Sequence, residues 1–462
     1  MHASFPQCSR CHPRKLAVMA DHDDPEIFAA LTKLAELDAS SAENAEAALR
    51  WIAGEEGLAA ITQEGVQTFC WYQLPMKWLD SEDEKLRVVT ALAEAFDLLQ
   101  LPRYAAICRS PTTRDILRAY EQRPALGKAA FRRAAAASGI TPPDLPEFRW
   151  GAVMGVQEAA AWSSTADFLE VAVASGAFVP GTWGWKAQQQ DLARAHISTA
   201  RLDLLGQTYA QAILTERAAT WVGLRRSDAR RRIVAGVANR LLYPAQLPAG
   251  TAEPLPPLQW LLDQLAVGIG LTVRGNLNRN FVQQNADRFG WDLDRPPRTE
   301  GDLYDLCQLR ELAQELGLAR REGRTLTLST KGRRLAAEAE RLWRVVAAGL
   351  LDGKDSFSVF AGELFLALLV DADSLPLSKI AARVGQAANE AGFRDFRTKK
   401  PPTEDDLRWV MYDTINLCRV LGLLSVGAAW NEDSYGLTAI GKATALEALR
   451  ARATGPATSP LP

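Results

Sequence analysis

Apolar side chains recur every three or four residues along most of this chain, the spacing that lines one face of an α-helix. The pattern holds from Ala47 to Ile52, Leu258 to Leu265 and Phe360 to Leu369, and over Asp80 to Leu99, where acidic residues open the segment. Between 126 and 243 the apolar positions Phe131, Val153, Leu169, Leu205, Ile213 and Val237 sit in an alanine-rich run that predicts helices and no strand. Two-residue alternation is confined to short stretches. Thr325-Leu326-Thr327-Leu328 follows the turn Arg321-Glu322-Gly323-Arg324, which is the grammar of a β-hairpin. The expected class is mainly α with small β-hairpins.

The C-terminal half repeats itself. Pro296-Pro297-Arg298-Thr299-Glu300-Gly301-Asp302-Leu303 returns as Pro401-Pro402-Thr403-Glu404-Asp405-Asp406-Leu407. Each copy leads into a helical segment closed by Leu316-Gly317-Leu318 or Leu421-Gly422-Leu423. Thr299 and Thr403 are natural N-caps with Asp302 and Asp406 in the reciprocal position, and the two glycines stand where a helix end needs positive φ. After a short apolar stretch, a turn and a second apolar stretch, Leu328-Ser329-Thr330-Lys331-Gly332 or Leu437-Thr438-Ala439-Ile440-Gly441 opens another helix. Upstream, each copy has an apolar helix, a brief extended piece (Gly270 to Thr272; Leu375 to Leu377) and a second helix around Leu277 and Phe281 or Ile380 and Val384.

That order predicts tandem degenerate winged-helix-like domains at 258–350 and 355–450. A fainter third version is read in the helical stretch 25–125. There Ile61 to Gly65 echoes Leu271 to Gly275, and Tyr104 to Cys108 reads as a strand running into Ser110-Pro111. These domains flank an all-α middle region at 126–243. The five prolines of 244–257 mark a linker, 1–24 reads as a disordered extension, and 453–462 reads as a disordered tail.

With those residues in view, Leu261 to Trp343 resembles an uncharacterised family, common in actinobacteria and named after an open reading frame on a root-inducing plasmid. The likeness rests on Leu271-Thr272 with Gly275-Asn276-Leu277, on Leu309-Arg310-Glu311-Leu312-Ala313 with Leu316-Gly317-Leu318, and on the arginine-rich hairpin. It spans less than a fifth of the chain. The resemblance supports the fold and brings no activity with it.

Lys and Arg number 53 against 55 Asp and Glu, so the net charge of −2 draws the protein as a whole toward neither nucleic acid nor anionic membrane. The distribution is uneven: 21–100 carries 17 carboxylates against 5 cations, and 101–150 carries 9 cations against 4 carboxylates. Any polyanion contact must therefore be local. In a DNA-reading winged helix the third helix enters the major groove. Here it is expected to expose Glu300, Asp302, Asp305, Glu311 and Glu315 with only Arg310 opposing, and the second copy begins Glu404-Asp405-Asp406. Acids in a first turn suit the helix dipole, and on either reading they repel phosphate.

The candidate nucleic-acid contact is instead the wing of 258–350, with Arg320, Arg321, Arg324, Lys331, Arg333 and Arg334. Six cations close together can track phosphates with little regard to sequence. The plainer reading is a solvated surface or a protein contact, since the second hairpin, Ser425 to Tyr435, carries no Lys or Arg. A second basic run, Arg225 to Arg232, reads first as a solvated helix pairing with the acidic N-terminal region and second as a phosphate contact. Phe69-Cys70-Trp71-Tyr72 with Trp78, and Trp183-Gly184-Trp185, read as core before they read as base-stacking platforms.

Catalytic vocabulary is sparse. Gly349 to Asp355 is one residue short of a phosphate-cradling loop and ends in Asp, and no dinucleotide fingerprint, metalloprotease or nucleophile-elbow pattern occurs. Of His2, His12, His22 and His196, only His196 lies in a region expected to fold, alone on an alanine-rich helix and structural. Cys8-Ser9-Arg10-Cys11-His12 has the form of a haem-attachment pentapeptide or half a zinc site; the preferred reading is an extension ahead of a polar start at Met19. No cofactor or metal is expected. No apolar run approaches the ~20 residues of a bilayer span and no export signal opens the chain, so a cytoplasmic protein without a membrane partner is expected.

The reading that fits best is a non-enzymatic intracellular regulatory or protein-interaction protein with an unknown protein partner. Two alternatives stay open. One is a DNA-associated regulator using the basic wing. The other is an enzyme in the helical middle region, whose carboxylates come together only on folding.

Overall fold

The computed structural model describes residues 24–54, 56–78, 81–286, 297–352, 355–426 and 434–457. His2, Cys8, Cys11, His12, Met19, His22 and Pro296 lie outside them, as do 427–433 and 458–462. The chain forms two compact units, one of the residues up to 148 with 159–209, the other of 149–158 with 210 onward. Residues 126–243, expected as a middle region, are shared between the two.

The first unit comprises α1 (Pro25–Leu37), α2 (Ala39–Ala53), α3 (Gln63–Thr68), α4 (Leu74–Lys77), α5 (Glu82–Leu98), α6 (Pro102–Arg109), α7 (Pro111–Gln122), α8 (Pro124–Ala137), most of α9 (Val156–Ala174) and α10 (Trp185–Ser198). Local chemistry sets their starts. Asp24 accepts from the Glu26 and Ile27 N–H groups with Pro25 in the first turn, Ser81 and Glu84 form a reciprocal capping box, and Ser110 caps α7 ahead of Pro111. Ile27, Leu49, Phe69, Leu92, Phe96 and Ile116 fill the core.

The strand expected at Tyr104 to Cys108 is helix instead. Pro102 starts α6, and Ala105 and Cys108, three residues apart, are buried together on its inner face. Thr62 caps α3. Among the described residues of 25–125 no strand occurs, so the fainter third version of the winged-helix order lacks its sheet.

The second unit holds nearly all of α11 (Tyr209–Gly223), α12 (Asp228–Ala238), and two segments of like order. The first runs α13 (Pro256–Val267), β1 (Ile269–Gly270), α14 (Arg279–Gln284), α15 (Tyr304–Glu315), β2 (Ala319–Glu322), β3 (Thr325–Leu328), α16 (Thr330–Ala336) and α17 (Ala339–Gly349). The second runs α18 (Ser356–Val370), β4 (Leu375–Pro376), α19 (Leu377–Glu390), α20 (Glu404–Val420), β5 (Leu424–Val426), β6 (Ser434–Leu437) and α21 (Ala439–Thr454). Each has an antiparallel three-stranded sheet with its last strand in the middle. In β1-β3-β2, Ile269 lies opposite Leu326 and Ala319 opposite Leu328; in β4-β6-β5, Leu375 lies opposite Tyr435 and Leu424 opposite Leu437. The fold class is mainly helical with two small antiparallel sheets.

Thr403 and Asp406 make the reciprocal cap on α20. Thr299 and Asp302 make the same cap, but on a single 3-10 turn, and α15 begins only at Tyr304. After each third helix, Gly317 (φ 66°) and Gly422 (φ 74°) turn the chain into a strand. The next helix then passes close over that turn: the Leu318 carbonyl accepts from Ser329 N–H, and the Leu423 carbonyl from Thr438 N–H. A Cβ on Gly332 or Gly441 would overlap those same carbonyl oxygens.

One core runs through both segments and includes Leu261, Leu309, Trp343, Leu364, Ile380, Met411 and Leu449. The proline-rich stretch is held against this unit: Leu255 is buried, and the Ala245 N–H donates to Glu447 Oε2 at 3.0 Å. The expected tail is likewise anchored at its start. Ala453 is buried within α21, the Thr454 carbonyl accepts from Arg217 at 2.9 Å, and the Ala457 carbonyl accepts from Ala152 N–H at 2.8 Å.

Candidate interaction surfaces

All six cations of the candidate wing are exposed, but most are engaged. Lys331 Nζ donates to the Leu316 carbonyl at 2.7 Å and so caps the C-terminal end of α15, and Arg333 donates to the Leu328 carbonyl at 3.1 Å. Arg320 is ion-paired with Glu322, two residues on along β2, and Arg321 Nε donates to Gly323 O at 2.8 Å within the turn. Arg324 and Arg334 stand in solvent. Arg320 and Arg321 are consecutive on β2 and point to opposite faces of the sheet, and part of the set's charge is already answered.

The acidic third helix needs correcting. Glu300 and Asp305, expected to be exposed, are 1% and 8% exposed. Glu300 accepts the Leu277 N–H at 2.7 Å and pairs with Arg310 Nε at 2.6 Å. Asp305 takes both Nη atoms of Arg419, on α20, at 3.0 and 2.5 Å. Burial there is sustained because each carboxylate meets a guanidinium. Asp302 accepts the Arg298 and Thr299 N–H groups, which hold its carboxyl below the usual range. Glu311 and Glu315 are exposed as expected.

The Asp305–Arg419 pair belongs to a larger contact in which the two third helices, α15 and α20, pack on each other. Along the outer edge of that contact runs a ladder of exposed aromatic rings. Tyr304 and Tyr412 have centroids 6.1 Å apart, and Tyr412 and Trp409 are 6.0 Å apart; Tyr304 Oη donates to Asp413 Oδ1 at 3.4 Å. Trp409 is 77% exposed. On α20 the exposed positions Asp405, Trp409, Tyr412 and Asp413 follow helical spacing, and on α15 the exposed Tyr304, Glu311 and Glu315 with the half-buried Gln308 do the same. Nothing in the local sequence marks this ladder, because its members come from helices about a hundred residues apart. The one available signal was a large aromatic residue at Trp409 on the polar face of a helix.

Part of the second basic run is engaged within its own unit. Arg230 is buried, donates to Trp221 O at 2.7 Å and to Glu363 Oε2 at 3.3 Å, and lies over the Trp221 ring at 5.0 Å. Its burial pulls the guanidinium below its ordinary range, with Glu363 pulling the other way. The Ser227 hydroxyl and the Ala229 N–H donate to Glu390, and Arg225 covers Phe393 at 4.7 Å. Within the second unit the run thus docks α12 on α18 and α19.

Near α11, a cavity of about 530 Å³ is lined by Val153, Met154, Glu158, Glu216, Arg217 and Trp221 among others. Its carboxylates are committed: Glu158 pairs with Arg217 Nε at 3.0 Å, and Glu216 accepts the N–H groups of Gln157 and Glu158 at the start of α9.

In the first unit, His196 Nε2 meets Ser164 Oγ at 3.0 Å, and Phe168 stacks on the ring at 4.7 Å. Burial and then Arg201 hold that imidazole below its usual range. A second polar centre lies where α9 meets α3 and α6. Glu170 accepts the Gln63 N–H at 2.6 Å and the Tyr104 hydroxyl at 2.8 Å, and Glu64 accepts from Trp162 at 3.0 Å. Burial, reinforced by the charge of Glu170, raises the carboxyls of Glu64 and Asp167 above their usual values. Among the described residues no group of three His, Cys, Asp or Glu is arranged to hold a metal ion, and no helix is long and apolar enough to cross a membrane. Phe69 and Trp71 are core, as expected, whereas Trp183 is fully exposed.

A family model described as the Y4jL N-terminal domain matches residues 259–341, the stretch from α13 into α17. That family is named after an open reading frame and has no activity established. No curated protein and no solved structure matches the chain.

Proposed function

We propose that the protein is a non-enzymatic intracellular interaction module, in which 258–350 and 355–450 are tandem winged-helix-like units that present protein-binding faces. The observation that carries this reading is the packing of α15 on α20, fastened by Asp305 and Arg419. A winged helix that reads DNA lays its third helix in the major groove. Each of α15 and α20 has part of its surface taken up by the other, and parting them leaves Asp305 without its guanidinium. The acids Glu311, Glu315, Asp405 and Asp413 beside the contact add repulsion to phosphate.

A second reading, phosphate contact through the wing, is favoured by the exposure of all six cations there. Titration of a labelled random-sequence duplex at low and at physiological ionic strength separates the two. The interaction reading expects no binding at micromolar protein for wild type or for the Arg320/Arg321/Arg324→Ala variant. Micromolar, salt-sensitive binding by the wild type that the variant loses would overturn it in favour of the wing.

A further inference from the structure

The aromatic ladder on α15 and α20 has a chemistry that names its partner. We infer that Trp409, Tyr412 and Tyr304, with the carboxylates of Asp405, Asp413 and Glu311, form a docking surface for an arginine-bearing segment of a partner protein. The inference rests on the interaction reading above and specifies it.

Three features converge on a basic occupant. The first is the rings themselves: they are exposed, adjacent, and of the types that accept a cation over the face, with arginine the usual donor. The second is charge. Asp405 precedes Trp409 by one helical turn and Asp413 follows it by one, while Asp413 and Glu311 both act on the Tyr304 hydroxyl. The cations on the two helices are already paired, Arg310 with Glu300, Arg408 with Glu404 at 2.9 Å and Arg419 with Asp305, which leaves Asp405, Asp413 and Glu311 in excess on this face. The third is pitch. Ring centres step by 6.1 and 6.0 Å, close to the roughly 6.7 Å between alternate side chains of an extended strand. An arginine at every second residue would set one guanidinium over each ring with its N–H edge toward a carboxylate, a geometry that a planar guanidinium meets and an ammonium does not.

The test uses the full chain and a fluorescein-labelled hexapeptide of alternating arginine and alanine, followed by anisotropy at low ionic strength. Binding is expected to weaken about threefold or more in Trp409→Leu, which keeps bulk and removes the π face, and less in Trp409→Phe. It should weaken comparably in Asp405→Asn with Asp413→Asn, and remain as in wild type in Glu36→Gln, an exposed carboxylate of the first unit. These positions are exposed, and unchanged thermal melts confirm that the variants fold. Binding that ignores all of the α20 changes overturns the site. If a glutamate–alanine peptide binds equally and depends on Trp409, the basic partner falls while the interaction reading stands. If no peptide binds and duplex DNA is held through the wing, the interaction reading falls and this inference with it. Self-association at higher concentration that is lost in Trp409→Leu would put a second copy in place of the partner segment.

Discussion

Gly332 and Gly441 occupy matching points in the two C-terminal segments, each directly beneath a backbone carbonyl that also accepts the N–H of the helix cap. Neither has a positive φ, so glycine is required there by space and not by conformation. Gly332→Ala or Gly441→Ala must push α16 or α21 off the preceding turn, and each is expected to cost about 1–3 kcal/mol in urea unfolding of the second unit. Gly236, on the exposed side of α12 with open space around it, supplies the opposite sign. Gly236→Ala should stabilise by about 0.5–1 kcal/mol, because only the helix propensity changes. If all three behaved alike, the close approach would have no energetic meaning.

At the scale of elements, α9 carries the clearest pH dependence. Glu64 on α3 and Asp167 on α9 have carboxyls raised chiefly by burial, so the fold favours their protonated forms. The stability they lend is fully present below their ordinary values and is lost as pH rises through the raised ones. Glu64→Gln removes one of these groups while keeping an acceptor for Trp162. The variant's urea midpoint for the first unit should exceed that of wild type near pH 7, and the gap should close as pH falls toward the ordinary carboxylate range. A gap that widens on acidification would mean that Glu64 is held charged. Elements with strong local signals were legible in the sequence: Ser110-Pro111, Thr403 with Asp406, and the glycines that end α15 and α20 all act within one turn of themselves. The short apolar run Tyr104 to Cys108 has no decisive period, and Pro102 at the start of α6 outweighs it. Thr299 is a cap, as its sequence context predicts, yet it opens a 3-10 turn, a distinction that the capping chemistry does not encode.

At the scale of the molecule, what the sequence concealed was which charges leave water. Glu300, Asp305 and Arg230 look like surface residues until their partners arrive, and for Asp305 and Arg230 those partners lie more than a hundred residues away. The ladder at Trp409 was hidden for the same reason. The two cores are separate clusters, and each can be probed alone. Leu92→Ala and Leu364→Ala remove fully buried side chains from the first and second core, at about 2–5 kcal/mol each. Amide exchange should accelerate mainly in the unit that carries the change; a uniform rise across the chain would argue against two cores. The bonds from Arg217 to Thr454, and from Ala152 and Val153 to Ala457, have a practical corollary. The segment 149–158 belongs with the C-terminal helices, yet 159–209 intervenes and belongs elsewhere. The two units are interleaved along the gene, so no single cut yields either one whole. A fragment that starts at the proline-rich stretch would expose the carbonyls of Thr454 and Ala457 that the longer chain covers.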